Sequence, residues 1–373
     1  MNRLRVLSVF GTRPEAIKMA PLIKAIESSN QIESLVCVTA QHREMLDQVL
    51  EIFDIAPDYD LDIMKDRQSI TGITTRVLEG LEQVIEEAKP DIVLVHGDTT
   101  TTFAGALAAF YHKVTIGHVE AGLRTYNKHE PFPEEMNRVL TSSLADLHFA
   151  PTDKARENLL NEGVNDNRIF VTGNTAIDAL KLTLSDSHIF EDSVLSSIDF
   201  GQSRVITVTA HRRENLGHPL TEICGAIFQI VNEYDDVQVV YPVHMNPAVR
   251  EIVNSILGSH PRIHLIDPLS IRDMHNLLNK SYMVMTDSGG LQEEVPSMGK
   301  PVLVLRNVTE RPEGVEAGTL RLVGAKKGTI ITSAKELLDS SEAYHEMAKA
   351  VNPFGDGRAS ERIVRTLLST QPS

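Results

Sequence analysis

Three acidic side chains fall where a carboxyl group can do proton transfer, each after a short apolar run or just inside the helix that follows one. Asp98 lies in His96-Gly97-Asp98-Thr99-Thr100-Thr101-Thr102, a strand end giving way to a helix that the threonines can cap, with Asp98 itself the alternative cap. Glu120 ends the run Thr115–Val119 and leads into Ala121-Gly122-Leu123-Arg124. Glu134 follows the proline-delimited loop Pro131-Phe132-Pro133, and one of Glu134 and Glu135 reads as a favourable charge in a first helical turn. Carboxyls that converge on one crevice repel each other, and burial drives their proton affinities apart into acid and base roles. The trio predicts general acid–base chemistry wherever the three loops meet.

A second set of residues suits an anion. Gly11-Thr12-Arg13-Pro14-Glu15-Ala16-Ile17-Lys18 combines a sharp turn, a proline fit for a first helical position and two cations near a helix N-terminus. Ala210-His211-Arg212-Arg213-Glu214-Asn215 offers an imidazole and two guanidiniums directly after a strand, and His244 follows another. In Thr286-Asp287-Ser288-Gly289-Gly290-Leu291-Gln292-Glu293-Glu294, the glycines let backbone N–H groups approach a diphosphate while Ser288 adds a donor. Glu294, a turn further on, suits two ribose hydroxyls, the alternative being a tight turn with a solvated glutamate. Arg311, in Glu310-Arg311-Pro312-Glu313-Gly314, follows a later strand. No G-x-G-x-x-G follows a strand and no G-x-x-x-x-G-K-[ST] occurs, which argues against a dinucleotide-dependent redox enzyme and a P-loop NTPase.

The elements that must position these loops are β-branched runs alternating with amphipathic stretches, the grammar of βα units on parallel sheets. Val6–Phe10, Leu35–Thr39, Ile92–His96, Thr115–Val119, Leu147–Ala150 and Ile169–Val171 read as strands of one sheet. Val205–Thr209, Val237–Tyr241, Ile263–Ile266, Met283–Thr286 and Val302–Leu305 read as strands of another. Met45, Val49, Ile52 and Phe53, and later Leu78, Leu81, Val84 and Ile85, form apolar helical faces. Periodicity lapses between about Ser185 and Ser203, so the expected organisation is one domain over 1–185 and a second over 203–357.

The 373 residues suffice for two cores, and an apolar fraction of 42% excludes a largely disordered chain. A formal charge of −15 disfavours DNA and anionic membranes as partners, so anion binding has to be local. Cys37 and Cys224 stand apart among apolar neighbours and read as buried free thiols in a reducing, cytoplasmic setting. The N-terminus reads as a first strand, and no apolar run approaches the length that spans a bilayer.

Taken in order, Gly11–Lys18, Val38–Arg43, His96–Thr102, Gly117–Arg124, Pro133–Arg138, Ala210–Asn215, Asp287–Glu294 and Thr309–Gly314 resemble the loops of the bacterial non-hydrolysing UDP-N-acetylglucosamine 2-epimerases. The resemblance covers essentially the whole chain. It implies a GT-B fold, two Rossmann-like doubly wound α/β domains facing across a cleft, with a final helix (358–373) crossing back to the first domain. It also implies that UDP lies on the second domain: Ser288, Gly289 and Gly290 on the diphosphate, Glu294 on the ribose, and Arg13, Lys18 and Arg311 assisting. The uracil is then expected near Leu269 and Met274, held by backbone. Asp98, Glu120, Glu134 and His211 are expected at the sugar, on the acid/base side.

The implied reaction breaks the C1–O bond to UDP, passes through 2-acetamidoglucal and adds UDP back, giving UDP-N-acetylmannosamine for cell-surface polysaccharide without metal or cofactor. A second UDP-N-acetylglucosamine is expected as an allosteric activator at Gln41, Glu44, Arg67, Glu134, Arg212 and His244, where Glu44 replaces a glutamine of some members. A homodimer is expected from the family alone. The other readings are a GT-B glycosyltransferase, a hydrolysing epimerase and a non-catalytic nucleotide-sugar sensor.

Overall fold

A computed structural model describes residues 3–40, 43–65 and 68–370, the side chains of Glu44 and Met45 excepted. The chain divides into two compact units, one comprising Met1–Leu182 with Phe354–Ser373, the other Thr183–Pro353. Each is an all-parallel sheet with helical crossovers, the α/β architecture of a GT-B type fold.

The first sheet contains β1 (Leu4–Phe10), β2 (Ile32–Val38), β3 (Tyr59–Asp60), β4 (Ile92–His96), β5 (Thr115–Val119), β6 (Leu147–Ala150) and β7 (Ile169–Val171), in the order β3-β2-β1-β4-β5-β6-β7. The second contains β8 (Arg204–Thr209), β9 (Val237–Pro242), β10 (Ile263–Ile266), β11 (Met283–Thr286), β12 (Val302–Val304) and β13 (Leu320–Leu322), in the order β10-β9-β8-β11-β12-β13. Central strands are buried along their whole length, as Ile92–His96 is, because helices cover both faces of a parallel sheet. That is why they read as unbroken apolar runs. β3 and β13 escape the sequence pattern: two and three residues at sheet edges are too short to show a period.

In both sheets the order reverses between the first and fourth strands of the unit, β1/β4 and β8/β11. Chain leaving those neighbours diverges and opens a crevice at the carboxyl ends, where parallel sheets bind ligands. The loops leaving β1, β4, β8 and β11 border these crevices.

The segment without period between Ser185 and Ser203 belongs to the second unit. It holds a short helix, Ser193–Ser197, and packs Phe190, Leu195 and Ile198 against Val205, Val240, Ile266 and Leu277. The final helix, Ala359–Ser369, packs on the helix Arg13–Glu27 within the first unit. Its start is tied down by Asp178, which accepts from the backbone N–H of Ala359 (3.1 Å) and Ser360 (2.8 Å). Val49 and Phe53, and Leu81, Val84 and Ile85, are buried as their spacing predicts. Cys37 and Cys224 are buried and unpaired, and burial pushes each thiol up to about 12.

Candidate functional site

In the first unit the loops after β1 and β4 are joined by a residue that no motif singles out. Glu15 is 3% exposed and accepts from the backbone N–H of Gly11 (3.1 Å) and Thr12 (2.8 Å) and from the hydroxyls of Thr99 (2.8 Å) and Thr102 (3.2 Å). Burial raises its pKa, and hydrogen bonds from the Thr99 and Thr12 hydroxyls and from the backbone N–H of Gly11 and Thr12 oppose the rise. A local signal for it exists, since Thr12 and Glu15 form a capping box. Arg13 opens the helix, and burial draws its guanidinium pKa down.

Thr99, rather than Asp98, caps the helix Thr100–Tyr111, accepting from Thr102 N at 3.2 Å. Asp98 is therefore not consumed as a cap. Its carboxylate pairs with Arg138 Nη2 at 2.5 Å, and its carbonyl accepts from Asn137 Nδ2 at 2.9 Å. Both partners lie on the helix Glu134–Leu144, so that helix is moored at Asp98. Its two leading acids then divide. Glu135 is buried and accepts from the backbone N–H of Thr125 and Tyr126 and from Arg138. Glu134 is half-buried, and its carboxylate makes no hydrogen bond or ion pair among the described residues.

Glu120 leaves β5 with φ +63, a left-handed conformation uncommon for a residue with a side chain. Its Oε2 accepts from Lys18 Nζ and from Asn174 Nδ2 (2.9 Å), which aim the carboxylate and hold the strained backbone. Register places β5 beside β4, with His96 opposite Val119, so Glu120 and Asp98 leave adjacent strand ends.

Two buried histidines stand behind them. His118 bonds the Gly97 carbonyl through Nε2 at 2.8 Å and is held neutral by burial, its pKa lowered to about 3. His96, lowered by burial to about 4, lies with Nε2 3.9 Å from Glu120 and has no hydrogen-bond partner on either ring nitrogen. No motif marks His118, Asn137 or Asn174, because each acts through a contact remote in sequence.

In the second unit the organising residue is Asp287, at the end of β11 and wholly buried. Its Oδ2 accepts from His211 N (2.8 Å), Arg212 N (2.9 Å) and Asn215 Nδ2 (2.9 Å), fastening the loop after β8 to the loop after β11. His211 Nδ1 lies 3.7 Å from Asp287 Oδ1, and its ring stacks on His244 with centroids 5.0 Å apart. Burial lowers the His211 pKa, Asp287 opposing and His244 and Arg212 reinforcing the shift.

Ser288 precedes the short helix Gly289–Glu294, and its hydroxyl makes no capping bond. A Cβ on Gly289 would meet Arg311 Cζ at 3.3 Å, so glycine here allows the guanidinium to lie on the turn. Arg311 is oriented by buried Glu293, whose Oε1 accepts from Nε at 2.7 Å. Glu294 is half-buried, 3.4 Å from His275 Nε2, while Thr183 Oγ1 holds Nδ1 of the same ring at 2.6 Å. Leu269 and Met274 both pack against core clusters of the unit.

Gln41 and Arg67 lie outside the described residues, as does the Glu44 side chain, whose backbone belongs to the helix Arg43–Ile52. Among the described residues, Glu82, Glu86 and His112 are the one group close enough to hold a metal ion, and none of the candidate acids belongs to it. No helix among the described residues is long and apolar enough to cross a membrane.

Comparison with known proteins finds likeness over nearly the full length of the chain. A family model described as UDP-N-acetylglucosamine 2-epimerase matches residues 24–368. The UDP-N-acetylglucosamine 2-epimerase of Bacillus subtilis is 58% identical over 368 residues, spanning 99% of this chain and 96% of that protein. The crystal structure of UDP-GlcNAc 2-epimerase from Neisseria meningitidis bound to UDP-GlcNAc superposes with a TM-score of 0.87 at 50% identity, covering 98% of this chain and 100% of that one. The Methanocaldococcus jannaschii enzyme in complex with UDP-GlcNAc and UDP gives 0.78 at 35% identity, with coverage of 98% and 100%. A likeness this extensive, in sequence and in both sheets, leaves one assignment: the chain belongs to the UDP-N-acetylglucosamine 2-epimerase family.

Proposed function

We propose that this protein interconverts UDP-N-acetylglucosamine and UDP-N-acetylmannosamine without hydrolysis, by eliminating UDP and adding it back. The C2 proton of the sugar has no neighbouring carbonyl to acidify it, so a carboxylate alone removes it too slowly. Breaking the C1–O bond first builds oxocarbenium character at C1, and the electron pair departs with the β-phosphate oxygen. The C2 proton then passes to a carboxylate, and the C1=C2 double bond of 2-acetamidoglucal forms. In the reverse half, the same oxygen attacks C1 while an acid delivers a proton to the other face of C2.

In this reading Arg13, Lys18, Arg311 and the Ser288–Gly290 turn stabilise the departing diphosphate, as preorganised donors do where charge develops. Glu294 binds the ribose, and Asp98, Glu120, Glu134 and His211 serve the sugar. The observation that carries the proposal is the setting of Glu120. Its carboxylate leaves a left-handed strand end, is aimed by Lys18 and Asn174, and sits one strand from Asp98. A nucleotide-sugar sensor has no use for that strain. The product suits synthesis of a cell-surface polysaccharide, and a cytoplasmic homodimer fits the family.

Run in D₂O from UDP-N-acetylglucosamine with no acceptor present, the reaction is expected to place deuterium at C2 of the product, read by NMR. Product that keeps its C2 proton rules the elimination out. Transfer to an added acceptor only, or release of free N-acetylmannosamine, favours the glycosyltransferase or the hydrolysing epimerase instead.

We extend the proposal to activation by a second UDP-N-acetylglucosamine at Gln41, Glu44, Arg67, Glu134, Arg212 and His244. The stacking of His244 on His211 supports it, since a ligand touching His244 or Arg212 bears directly on the loop that carries His211. Such a ligand activates to the extent that it binds the competent arrangement better. Pure UDP-N-acetylmannosamine should then turn over only after a lag that a trace of the gluco epimer abolishes, and His244→Ala should blunt that response. Immediate hyperbolic turnover of the manno sugar would remove the second site.

A further inference from the structure

The geometry points to a second, unrelated ligand site in the first unit: a pocket for the phosphate group of a small phosphorylated polyol. A cavity of about 380 Å³ opens where the chain enters β6 and β7, with Ser142, His148, Glu162, Asn165 and Arg168 among its walls. Ala145 and Arg168 precede those strands, so the cavity lies at the amino edge of the sheet, opposite the loops that carry Asp98 and Glu120.

Four features mark it as a site rather than a gap. Arg168 is exposed and its side chain makes no ion pair or hydrogen bond among the described residues, whereas Arg124, Arg138 and Arg156 of the same unit are all paired with carboxylates. His148 is 1% exposed, and its Nδ1 has no hydrogen-bond partner, a costly condition for a buried polar group. Ser142 Oγ accepts from Arg124 Nη2 at 2.9 Å, which leaves its proton to donate. Asn165 uses its carbonyl oxygen to accept from Asn167 N and keeps its amide hydrogens. The surplus is thus of donors around a free guanidinium, the pattern that recognises phosphate.

The one acid on the wall does not spoil this. Glu162 accepts from both Nε and Nη2 of Arg124 at 2.7 Å, and the Arg124 side chain is 0% exposed, so the carboxylate is neutralised from behind. It remains able to accept from a hydroxyl. A bare phosphate would leave much of the cavity empty, while a neutral sugar would leave Arg168 unpaired. A phosphate monoester that carries hydroxyl groups uses both.

The test titrates glycerol 3-phosphate into protein saturated with UDP, so that the nucleotide residues do not compete, and follows the His148 ring resonances by NMR, assigned with His148→Asn. Inorganic phosphate and glycerol form separate arms, and the rise in melting temperature with ligand is a second readout that needs no His148 variant. Expected are a saturable His148 shift with glycerol 3-phosphate, weaker binding of inorganic phosphate and none of glycerol. Arg168→Ala should weaken binding about tenfold or more and leave sugar-nucleotide turnover unchanged. No saturable shift, or equal affinity in Arg168→Ala, overturns the site. Inorganic phosphate binding as tightly as the ester overturns the polyol assignment.

Discussion

Glu120→Gln is expected to lower turnover by about 10²- to 10⁴-fold, the usual worth of a general acid or base, while UDP affinity stays near its original value. The substitution preserves shape. A carboxamide oxygen still accepts from Lys18 or Asn174, so the strand end keeps a partner, but the side chain no longer takes or gives a proton. Glu294→Gln makes the contrasting case. Its carboxylate is proposed to accept from the ribose, so UDP affinity should fall by roughly tenfold, as for a lost charge-assisted hydrogen bond, with turnover at saturation within a few-fold. Turnover by NMR and UDP binding by calorimetry separate the two. Near-normal turnover in Glu120→Gln would make Glu120 a structural residue and end its catalytic assignment.

The largest effect on stability is expected from Asp287→Ala. One buried carboxylate oxygen accepts from two backbone N–H groups and from Asn215, and the substitution takes that shared acceptor away from all three donors. Each donor that loses its acceptor costs about 1–3 kcal/mol, so the second unit should lose roughly 3–5 kcal/mol and melt on the order of 10 °C earlier. UDP affinity should fall with it, because the loop after β8 is no longer fastened to the loop holding Ser288–Gly290. Asp287→Asn keeps one acceptor oxygen and should recover part of both losses. Calorimetry of the two variants checks the order; an Asp287→Ala protein that melts within about 2 °C of the original refutes the assignment.

Much of the fold and of the site is legible in the linear chain, for reasons particular to parallel sheets. A strand covered on both faces, such as Ile92–His96, is apolar at every position, and the residues just after it are forced into turn chemistry. Asp98, Glu120, His211 and Ser288 therefore stand out as residues just beyond strand ends. The glycine at 289 announces a close approach, because a Cβ there would press on the Arg311 guanidinium. Burial of Cys37 and Cys224 follows from their apolar neighbours alone.

The linear chain leaves open which strand ends are neighbours. Strand order is set by how the crossover helices pack, and it alone puts β1 beside β4 and β8 beside β11. Lys18 and Glu120 are 102 positions apart, and Asp287 and His211 are 76, so no window of sequence contains either pair. Glu15 looks like a helix cap until Thr99 and Thr102 arrive from another strand, and the segment around Phe190 looks like a linker until Val240 and Leu277 cover it. Residue types and local turns follow from short-range sterics and hydrophobic periodicity, which a sequence carries in full; the pairing of carboxylates with their cations and N–H donors depends on contacts that exist only once each sheet has closed around its switch point.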